Sequence, residues 1–365
     1  GQPTNAILGF LNILNKLLDE EQPDALCVTF DRKAPTFRHL AYEGYKAQRK
    51  GMPDELASQM PLLKEVLAAM KIPMYELDGW EADDLIGTIS VKDTAAGWAT
   101  VIVTGDKDSL QLVTDTTTVK LVSTRMGRTT TKDMTPDAFW EQYGFDPIHI
   151  VDLKALMGDS SDNIPGVKGV GEKTAMALVQ RYHSIDALYA AMPAPEMAPG
   201  TPAKPGVVKK LPEGEEMARM SYDLATIHTD APIEFDPEQN LCREADNDAL
   251  YQLFLDLEFA KLIDKYGLTA PQGEKKSAGG DVRRFLRQRD GGQPGPDGGA
   301  SGPLAGAGLG ERAGPALSGC GVRGVGGARR ENAARPCFLR TNGTATTIFC
   351  GSCSLMDASG RPYTG

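Results

Sequence analysis

The sequence has few of the residues that build zinc sites and disulfide frameworks, and it lacks the long apolar runs that build membrane spans. Only Cys27 and Cys242 lie in the first 272 of its 365 residues, and the whole chain has 4 histidines. Two isolated cysteines are most often buried thiols, so neither a disulfide framework nor a zinc set is predicted there. Because no run of 18 apolar residues occurs and the first residues do not resemble a secretory leader, we expect a cytoplasmic protein without a membrane span.

An overall excess of positive charge is also missing, since the formal net charge is −10. Proteins that bind nucleic acid usually have a basic surface, so net charge alone argues against that function. The charge is nevertheless uneven: residues 1–272 carry 26 Lys+Arg against 42 Asp+Glu (−16), and residues 273–365 carry 13 against 7 (+6). The second part is rich in Gly, Ala, Arg and Pro, and we expect it to be a low-complexity, disordered tail.

Apolar periodicity in the first part predicts an alternation of helices and strands, which is typical of an α/β fold with a parallel sheet. An α/β core is expected over residues 1–136 and a helical subdomain over 137–272, with a Pro/Gly/Lys-rich loop at 191–214. The predicted elements are a helix from residue 5, a strand at 25–30, helices at 55–70 and from 81, a strand at 100–104, and a last helix at 246–266.

Acidic residues gather where the predicted strands end and where helices begin. Carboxylates brought together repel one another unless cations compensate, and oxygen ligands suit Mg²⁺ or Mn²⁺ rather than Zn²⁺. Two such ions can activate a water and stabilise the leaving oxygen in phosphodiester hydrolysis. The acids are Asp31, Glu81, Asp83, Asp84, Asp106, Asp108, Asp159 and Asp162.

Each acidic cluster, taken singly, also has a structural explanation. Acids in the first turn of a helix are favoured by the helix dipole, and Gly-Asp-Lys-Asp at 105–108 is ordinary turn chemistry. Their joint occurrence favours a site, because structural turns would not need acids at all these places. Spacing alone therefore predicts a divalent-metal site without naming its reaction.

Two segments have the composition of a nucleic-acid surface. Residues 32–50 interleave cations with aromatics, which suits phosphate neutralisation and base stacking, although a solvated helix face has a similar composition. Residues 166–175 contain glycines that let backbone N–H groups approach a phosphate beside Lys168 and Lys173. The second segment lacks the ending of a P-loop, and its spacing favours a helix-hairpin-helix.

Five motifs, in order across about residues 1–272, resemble the 5′-nuclease domain of bacterial DNA polymerase I, a relative of the flap endonucleases. The resemblance implies a PIN-like α/β fold, a helical arch at about residues 32–52 that threads a 5′ flap, and a helix-hairpin-helix that grips duplex DNA. The motifs are Phe30-Asp31-Arg-Lys-Ala-Pro-Thr-Phe-Arg38-His39, Tyr45-Lys46-Ala-Gln-Arg49, Glu81-Ala-Asp83-Asp84, Thr104-Gly-Asp106-Lys-Asp108 and the run from Gly158 to Thr174.

The resemblance also implies roles for particular residues. The acids named above would hold two or more Mg²⁺ or Mn²⁺ ions or surround them, Lys46 and Arg49 would be catalytic residues that orient the scissile phosphate, and K⁺ would bind at the helix-hairpin-helix. The expected partners are DNA with a 5′ flap or nick and RNA primers. The residues expected to contact DNA are Arg38, Tyr42, Tyr45, Lys46, Arg49, Gly166, Lys168, Gly169, Gly171, Lys173 and Thr174.

The sequence departs from the family at both ends. The family begins with a central strand bearing a further metal-site Asp, and it continues into a polymerase module, but the present chain shows neither. We therefore expect an open slot in the sheet and one carboxylate fewer in the site. Cys350-Gly-Ser-Cys353 lacks a second suitably spaced pair and does not predict zinc.

Three functions follow from these observations. The first is a structure-specific 5′ nuclease of DNA replication and repair, acting as a monomer in the bacterial cytoplasm. The second is a catalytically impaired fragment that still binds DNA. The third is a metal-dependent phosphatase, which would explain the acids but neither the arch nor the helix-hairpin-helix.

Overall fold

The computed structural model describes residues 2–125, 128–192, 205–271 and 345–350. The strands are β1 (Ala25–Thr29), β2 (Met74–Tyr75), β3 (Ala99–Thr104), β4 (Thr117–Arg125), β5 (Arg128–Met134) and β6 (Ala345–Cys350). The helices are α1 (Asn5–Glu21), α2 (Phe37–Ala41), α3 (Asp54–Ala57), α4 (Met60–Ala69), α5 (Ala82–Ala95), α6 (Pro136–Tyr143), α7 (Ile150–Met157), α8 (Glu172–Tyr182), α9 (Ile185–Ala190), α10 (Pro205–Val208), α11 (Glu215–Ala225), α12 (Asn247–Asp256) and α13 (Ala260–Tyr266). Short 3₁₀ turns lie at Asp108–Leu112, Pro147–His149, Pro212–Gly214 and Pro237–Asn240.

The strands form one six-stranded sheet in the order β2-β1-β6-β3-β4-β5. All neighbouring pairs are parallel except β4 and β5, which form an antiparallel hairpin. Sequence periodicity does not predict this hairpin, because threonines occupy many of its positions in place of alternating apolar residues. The α/β class with a helical subdomain is confirmed.

Side chains alternate between two hydrophobic cores on the two faces of the sheet. Val28 and Phe349 belong to the core that contains α1, α4 and α12, whereas Cys27 and Ile348 belong to the core that contains α5, α7 and α8. None of the described helices combines the length and apolarity needed to cross a membrane.

Two predicted helices are each divided in the structure. The segment 55–70 breaks because Pro61, which suits the first turn of a helix, begins α4 anew. At the break, the Gln59 side-chain oxygen accepts a hydrogen bond from the Ala6 amide at 2.9 Å and so satisfies an orphan donor of α1. The segment 246–266 breaks between α12 and α13, where Glu258 has a positive φ of 60°.

The expectation of an open slot in the sheet is wrong, because β6 fills it. Ile348 lies opposite Cys27 of β1 and Ile102 of β3, so β6 pairs along both edges. A slot would have left the peptide groups of two central strands without partners, which is costly in a protein interior. The expectation that residues 273–365 are disordered is therefore wrong at 345–350, which form β6. The rest of that range lies outside the described residues.

Polar contacts fix the start of β6. Asp24 accepts a hydrogen bond from the Ala345 amide through its carboxylate at 2.9 Å and donates its own amide to the Ala345 carbonyl at 3.1 Å. Asp93 of α5 accepts hydrogen bonds from the hydroxyls of Thr100 and Thr346, both at 3.1 Å. Burial raises the pKa of Asp93 to about 7, although both hydroxyls oppose the shift. Asp93 thus ties α5 to two neighbouring strands.

Replacing the central side chain of β6 should weaken the whole fold. Ile348 is fully buried, so Ile348→Ala should lower the free energy of unfolding by about 2–5 kcal/mol. Leu255→Ala, at a half-exposed position, is the matched control and should change it by less than about 0.5 kcal/mol. Urea unfolding measures both. An unchanged midpoint for Ile348→Ala would contradict the position of β6.

Stability should depend on pH through Asp93. Its pKa is raised from 3.8 to about 7 in the folded chain, so the folded state holds the proton more tightly and loses stability as the pH rises through that interval. Asp93→Asn cannot ionise and should lose less. The melting temperature of the variant minus that of the wild type should rise from pH 5 to 7 and stay constant above pH 7. Parallel curves for the two proteins would refute this role.

Candidate functional site

A pocket opens at the carboxyl ends of β1 and β3, beside the start of α5. This placement follows from the parallel sheet, since loops after neighbouring parallel strands meet at one edge. The polar lining residues are Asp31, Arg38, Tyr45, Lys46, Arg49, Glu81, Asp83, Asp106, Asp108 and Asp162, and the apolar ones are Leu224, Ala225 and Ile227. Most of the predicted metal-site acids therefore meet in one place.

Local hydrogen bonds hold the acids of the pocket in position. Asp31 follows β1 by two residues and accepts a hydrogen bond from the Ala82 amide at 2.7 Å, at the N-terminus of α5. Asp106 follows β3 by two residues and accepts one from the Asp108 amide at 2.9 Å. Strand ends and a helix start thus direct these carboxylates toward one another.

The carboxylates of the pocket are crowded. Burial raises the pKa of Asp83 well above its usual value, and the neighbouring charges of Asp106, Asp31 and Asp108 raise it further. Burial, with the charge of Asp106, also raises the pKa of Asp108 to about 7, against the opposing effect of the Lys154 ammonium. The site therefore has excess negative charge, and its oxygen-only acids have the chemistry that suits a hard divalent cation.

Asp84 differs from Asp83, its neighbour in the same acidic triplet. It is fully buried, and its two oxygens accept hydrogen bonds from the Arg38 guanidinium at 2.8 and 2.7 Å. The same carboxylate accepts the Glu81 amide at 3.1 Å and the His228 amide at 2.9 Å. The Asp84 carboxylate lies behind the pocket and does not line it.

Asp159 also lies outside the pocket lining. Its carboxylate accepts hydrogen bonds from the Ser161 amide at 2.8 Å and from the Lys154 ammonium at 2.6 Å. Although burial opposes the shift, Lys154 lowers the pKa of Asp159 to about 2. Lys154 also pairs with Asp108, so this one buried cation joins two of the acidic clusters. Sequence reasoning missed Lys154, although a lysine five residues before Asp159 in the last turn of a helix was a usable signal.

The predicted basic residues of the arch segment come together with acids. The Lys46 ammonium donates to Glu81 at 2.9 Å, and the hydroxyl of the buried Tyr45 donates to the same carboxylate at 3.1 Å. Arg49 pairs with Asp162, whose backbone carbonyl accepts the Lys46 amide at 2.8 Å. These contacts hold two cations at the rim of an acidic pocket.

The arch segment contains one short helix, α2, followed by turns. Tyr42 does not line the pocket; its ring packs so closely over Gly44 that a Cβ there would lie 2.5 Å from it. Arg38, which we expected to contact DNA, is only 3% exposed. Its guanidinium is bonded to Asp84 and donates to the Leu224 carbonyl at 3.0 Å, so it braces the pocket from inside.

The glycine-rich segment forms the predicted turn between α7 and α8. Gly166 has a φ of +61°, and a Cβ there would lie 2.2 Å from the Gly158 nitrogen. Its amide donates to the Ser221 hydroxyl at 3.0 Å, so Gly166 serves the packing of the turn. The remaining predicted contacts lie at the outer side: Lys168, Gly169, Gly171 and Lys173 are exposed and Thr174 is half-buried.

Cations of the chain occupy much of the acidic cluster. Across residues 2–125, 128–192, 205–271 and 345–350, no three His, Cys, Asp or Glu side chains are arranged to hold a metal ion as they stand. Asp108 and Asp162 are paired with Lys154 and Arg49, respectively. The carboxylate oxygens fit a divalent ion chemically, and these ion pairs would have to rearrange when such an ion binds.

Two family models match consecutive parts of the chain. Residues 1–144 match the 5′-3′ exonuclease N-terminal resolvase-like domain, and residues 145–248 match the 5′-3′ exonuclease C-terminal SAM fold. The boundary between them lies in the turn after α6.

Two curated relatives are bacterial DNA polymerases. The chain is 41% identical over 267 residues to DNA polymerase I of Caldicellulosiruptor bescii, covering 73% of this chain and 30% of that protein. It is 41% identical over 282 residues to DNA polymerase I of Bacillus subtilis, covering 77% and 31%. The chain thus spans about a third of the length of these relatives.

Solved structures share the fold at low identity. The T5 D15 protein co-crystallised with metal ions superposes with a TM-score of 0.50 at 21% identity, covering 72% of this chain and 92% of that one. This likeness supports the α/β architecture with its helical subdomain.

Removing the buried guanidinium should be costly. Arg38→Met leaves Asp84 without its charge partner in the protein interior and should lower the free energy of unfolding by about 3–5 kcal/mol. Arg219→Met is the matched control, because Arg219 pairs with Glu215 and Asp186 at the surface and its loss should leave stability almost unchanged. Equal losses in the two variants, measured by chemical unfolding, would contradict the bracing role of Arg38.

Proposed function

The chain belongs to the 5′-3′ exonuclease family, and on that premise we propose that it is a structure-specific nuclease that hydrolyses phosphodiesters at 5′ flaps and nicks. The observation that supports this proposal most strongly is the pocket of crowded acids at the sheet edge, with Lys46 and Arg49 at its rim. Excess negative charge with cations beside it suits a phosphate bridged to the protein by metal ions.

Mg²⁺ or Mn²⁺, two ions or more, is the proposed cofactor. Asp31, Asp83, Asp106 and Asp108 would hold these ions, with Glu81 and Asp162 beside them. When bound, such ions supply an activated water and neutralise the charge of the leaving oxygen. Asp84 and Asp159 would act through Arg38 and Lys154 by fixing the surrounding residues.

Lys46 and Arg49 would bind and orient the scissile phosphate. Each is held by one carboxylate, Glu81 or Asp162, and each has further donors for a second acceptor. A phosphate oxygen entering the pocket would therefore meet positioned cations rather than flexible side chains. Once the metal ions are bound, these two cations would orient the phosphorus for the reaction.

The turn between α7 and α8 would bind the duplex beside the flap. Exposed backbone amides around Gly169 and Gly171 can approach a phosphate because neither residue has a side chain, and Lys168 and Lys173 add charge. K⁺ between this turn and the phosphate belongs to the same proposal. Gly166 would support the turn through its contact with Ser221.

The wider role is proposed from the relatives, which are named DNA polymerase I. The chain would remove 5′ flaps and RNA primers ahead of a polymerase during replication and repair in the bacterial cytoplasm, acting as a monomer. Tyr45 would contribute by orienting Glu81, and Tyr42 by shaping the arch segment.

One observation favours a second candidate, a chain that binds flap DNA and cleaves it poorly. Cys350 ends β6, and it lies opposite Thr29 in the row of side chains that precedes Asp31. Asp31 follows Thr29 by two residues, so Cys350 stands one row before the pocket, where it is fully buried and does not line the pocket itself. At this edge of the sheet, β1 and β3 are each followed by a carboxylate, whereas β6, which lies between them, ends in a thiol.

Cleavage of a labelled 5′-flap DNA in Mg²⁺, with binding measured in Ca²⁺, tests both candidates. Asp106→Asn should reduce single-turnover cleavage by at least about 100-fold, since even the loss of an outer partner of a metal site costs up to that amount. Asp115→Asn, at an exposed turn, should cleave as the wild type does. If Asp106→Asn cleaves as fast as the wild type, the nuclease proposal is refuted.

The second candidate is tested in the same assay with Cys350→Asp, using Cys350→Ser as the control of similar size. If the missing carboxylate limits the reaction, Cys350→Asp should cleave about 10-fold faster or more, with unchanged affinity in Ca²⁺. No gain over Cys350→Ser would exclude this explanation and leave the first candidate.

A further inference from the structure

Three aromatic side chains, Phe37, Trp80 and His228, pack together beside the acidic pocket; we call them the aromatic platform. Their ring centroids lie 5.3 Å apart for Phe37 and Trp80, 4.7 Å for Phe37 and His228, and 6.3 Å for Trp80 and His228. All three are only half-buried, and the His228 side chain is 42% exposed. A cluster formed only for packing would be expected to bury its rings more completely.

The platform adjoins the pocket along the chain at three independent points. Phe37 precedes Arg38, Trp80 precedes Glu81, and His228 follows Ile227, and each of these neighbours lines the pocket. Consecutive Cα atoms are about 3.8 Å apart, so each ring begins within one residue of the pocket wall. Three separate segments of the chain therefore bring their aromatic residues to the same side of the pocket.

Buried charge holds the platform in place. The Arg38 guanidinium lies 4.5 Å from the centre of the Phe37 ring and is itself bonded to Asp84. The Asp84 carboxylate also accepts the His228 amide at 2.9 Å. The Phe37 amide donates to the Gly79 carbonyl at 3.3 Å, next to Trp80. One buried ion pair thus positions the three aromatic segments, whose rings meet edge to face at interplanar angles of 66°, 67° and 77°.

We propose that the aromatic platform stacks a nucleobase of the unpaired 5′ strand, next to the phosphate bound in the pocket. The inference rests on the proposed function and adds the place where the strand is held. An acid-rich pocket repels the phosphate backbone unless cations intervene, so the Phe37 and Trp80 rings, which carry no ionisable group, provide affinity that does not depend on charge. Stacking is tolerant of base identity, which suits an enzyme that recognises the shape of a junction.

Trp80 provides a direct optical readout of stacking. The chain has 3 tryptophans, and Trp98→Phe with Trp140→Phe leaves Trp80 as the single reporter. In Ca²⁺, flap DNA with a base at the first unpaired nucleotide should quench this fluorescence, and DNA that is abasic there should not. The abasic DNA should also bind about 10-fold more weakly, as expected for the loss of one base–aromatic contact.

Variants of the platform separate stacking from folding. Phe37→Leu and His228→Leu should lower the affinity for the base-containing DNA to that for the abasic DNA. Phe37→Tyr keeps an aromatic ring and should retain the wild-type difference in affinity between the two DNAs. Thermal unfolding checks that each variant is folded, and any variant that is not folded is replaced by the abasic comparison in the wild-type chain.

Two outcomes would overturn the inference, and they are distinguishable. If fluorescence anisotropy shows tight binding of both DNAs with equal affinity and equal quenching, the platform does not stack a base, and the proposed nuclease function stands. If neither DNA binds in Ca²⁺, the proposed function fails together with the inference.

Discussion

Mutual repulsion among the carboxylates at one edge of the sheet is the constraint on which the rest of the structure depends. Asp83 and Asp108 are half-buried beside other acids, which disfavours their charged forms. The protein relieves part of the cost of its crowded acids with buried cations: Arg38, in the pocket wall, pairs with Asp84, and Lys154 pairs with Asp108. The same two residues connect the α/β core to the helical subdomain, since Arg38 also bonds to the end of α11 and Lys154 lies on α7.

Neighbouring residues of one motif have different tasks for this reason. Asp83 faces the pocket, whereas Asp84 turns inward and binds Arg38. Gly166 and Gly169 lie in one turn, yet only Gly166 is enclosed by backbone on the side where a Cβ would stand. Helical and turn geometry directs successive side chains to different sides, so one short motif can contain both pocket-lining acids and the residues that support them.

Much of the architecture could be predicted from the sequence, because α1 is amphipathic, β1 and β3 are short apolar runs, and α5 begins with acids in its first turn. The meeting of Asp31, Asp106 and Asp108 in one pocket could be predicted too, since these acids follow strands that must end at one edge. What could not be predicted depends on contacts between distant segments. Lys154 becomes part of the site only when α7 packs there, and β6 is a short apolar run whose partners lie far away in the chain.

The position of β6 has a consequence for how the protein is made. Thr346 bonds to Asp93, which precedes it by 253 residues, so the middle of the sheet is completed by a late part of the chain. At about 5–20 residues per second, a ribosome needs roughly 4–14 s to translate the 70 residues of 271–340. During this time β1 and β3 have emerged with unpaired edges that attract other strands. The nascent chain therefore exposes two strand edges, which favours aggregation, until β6 is made.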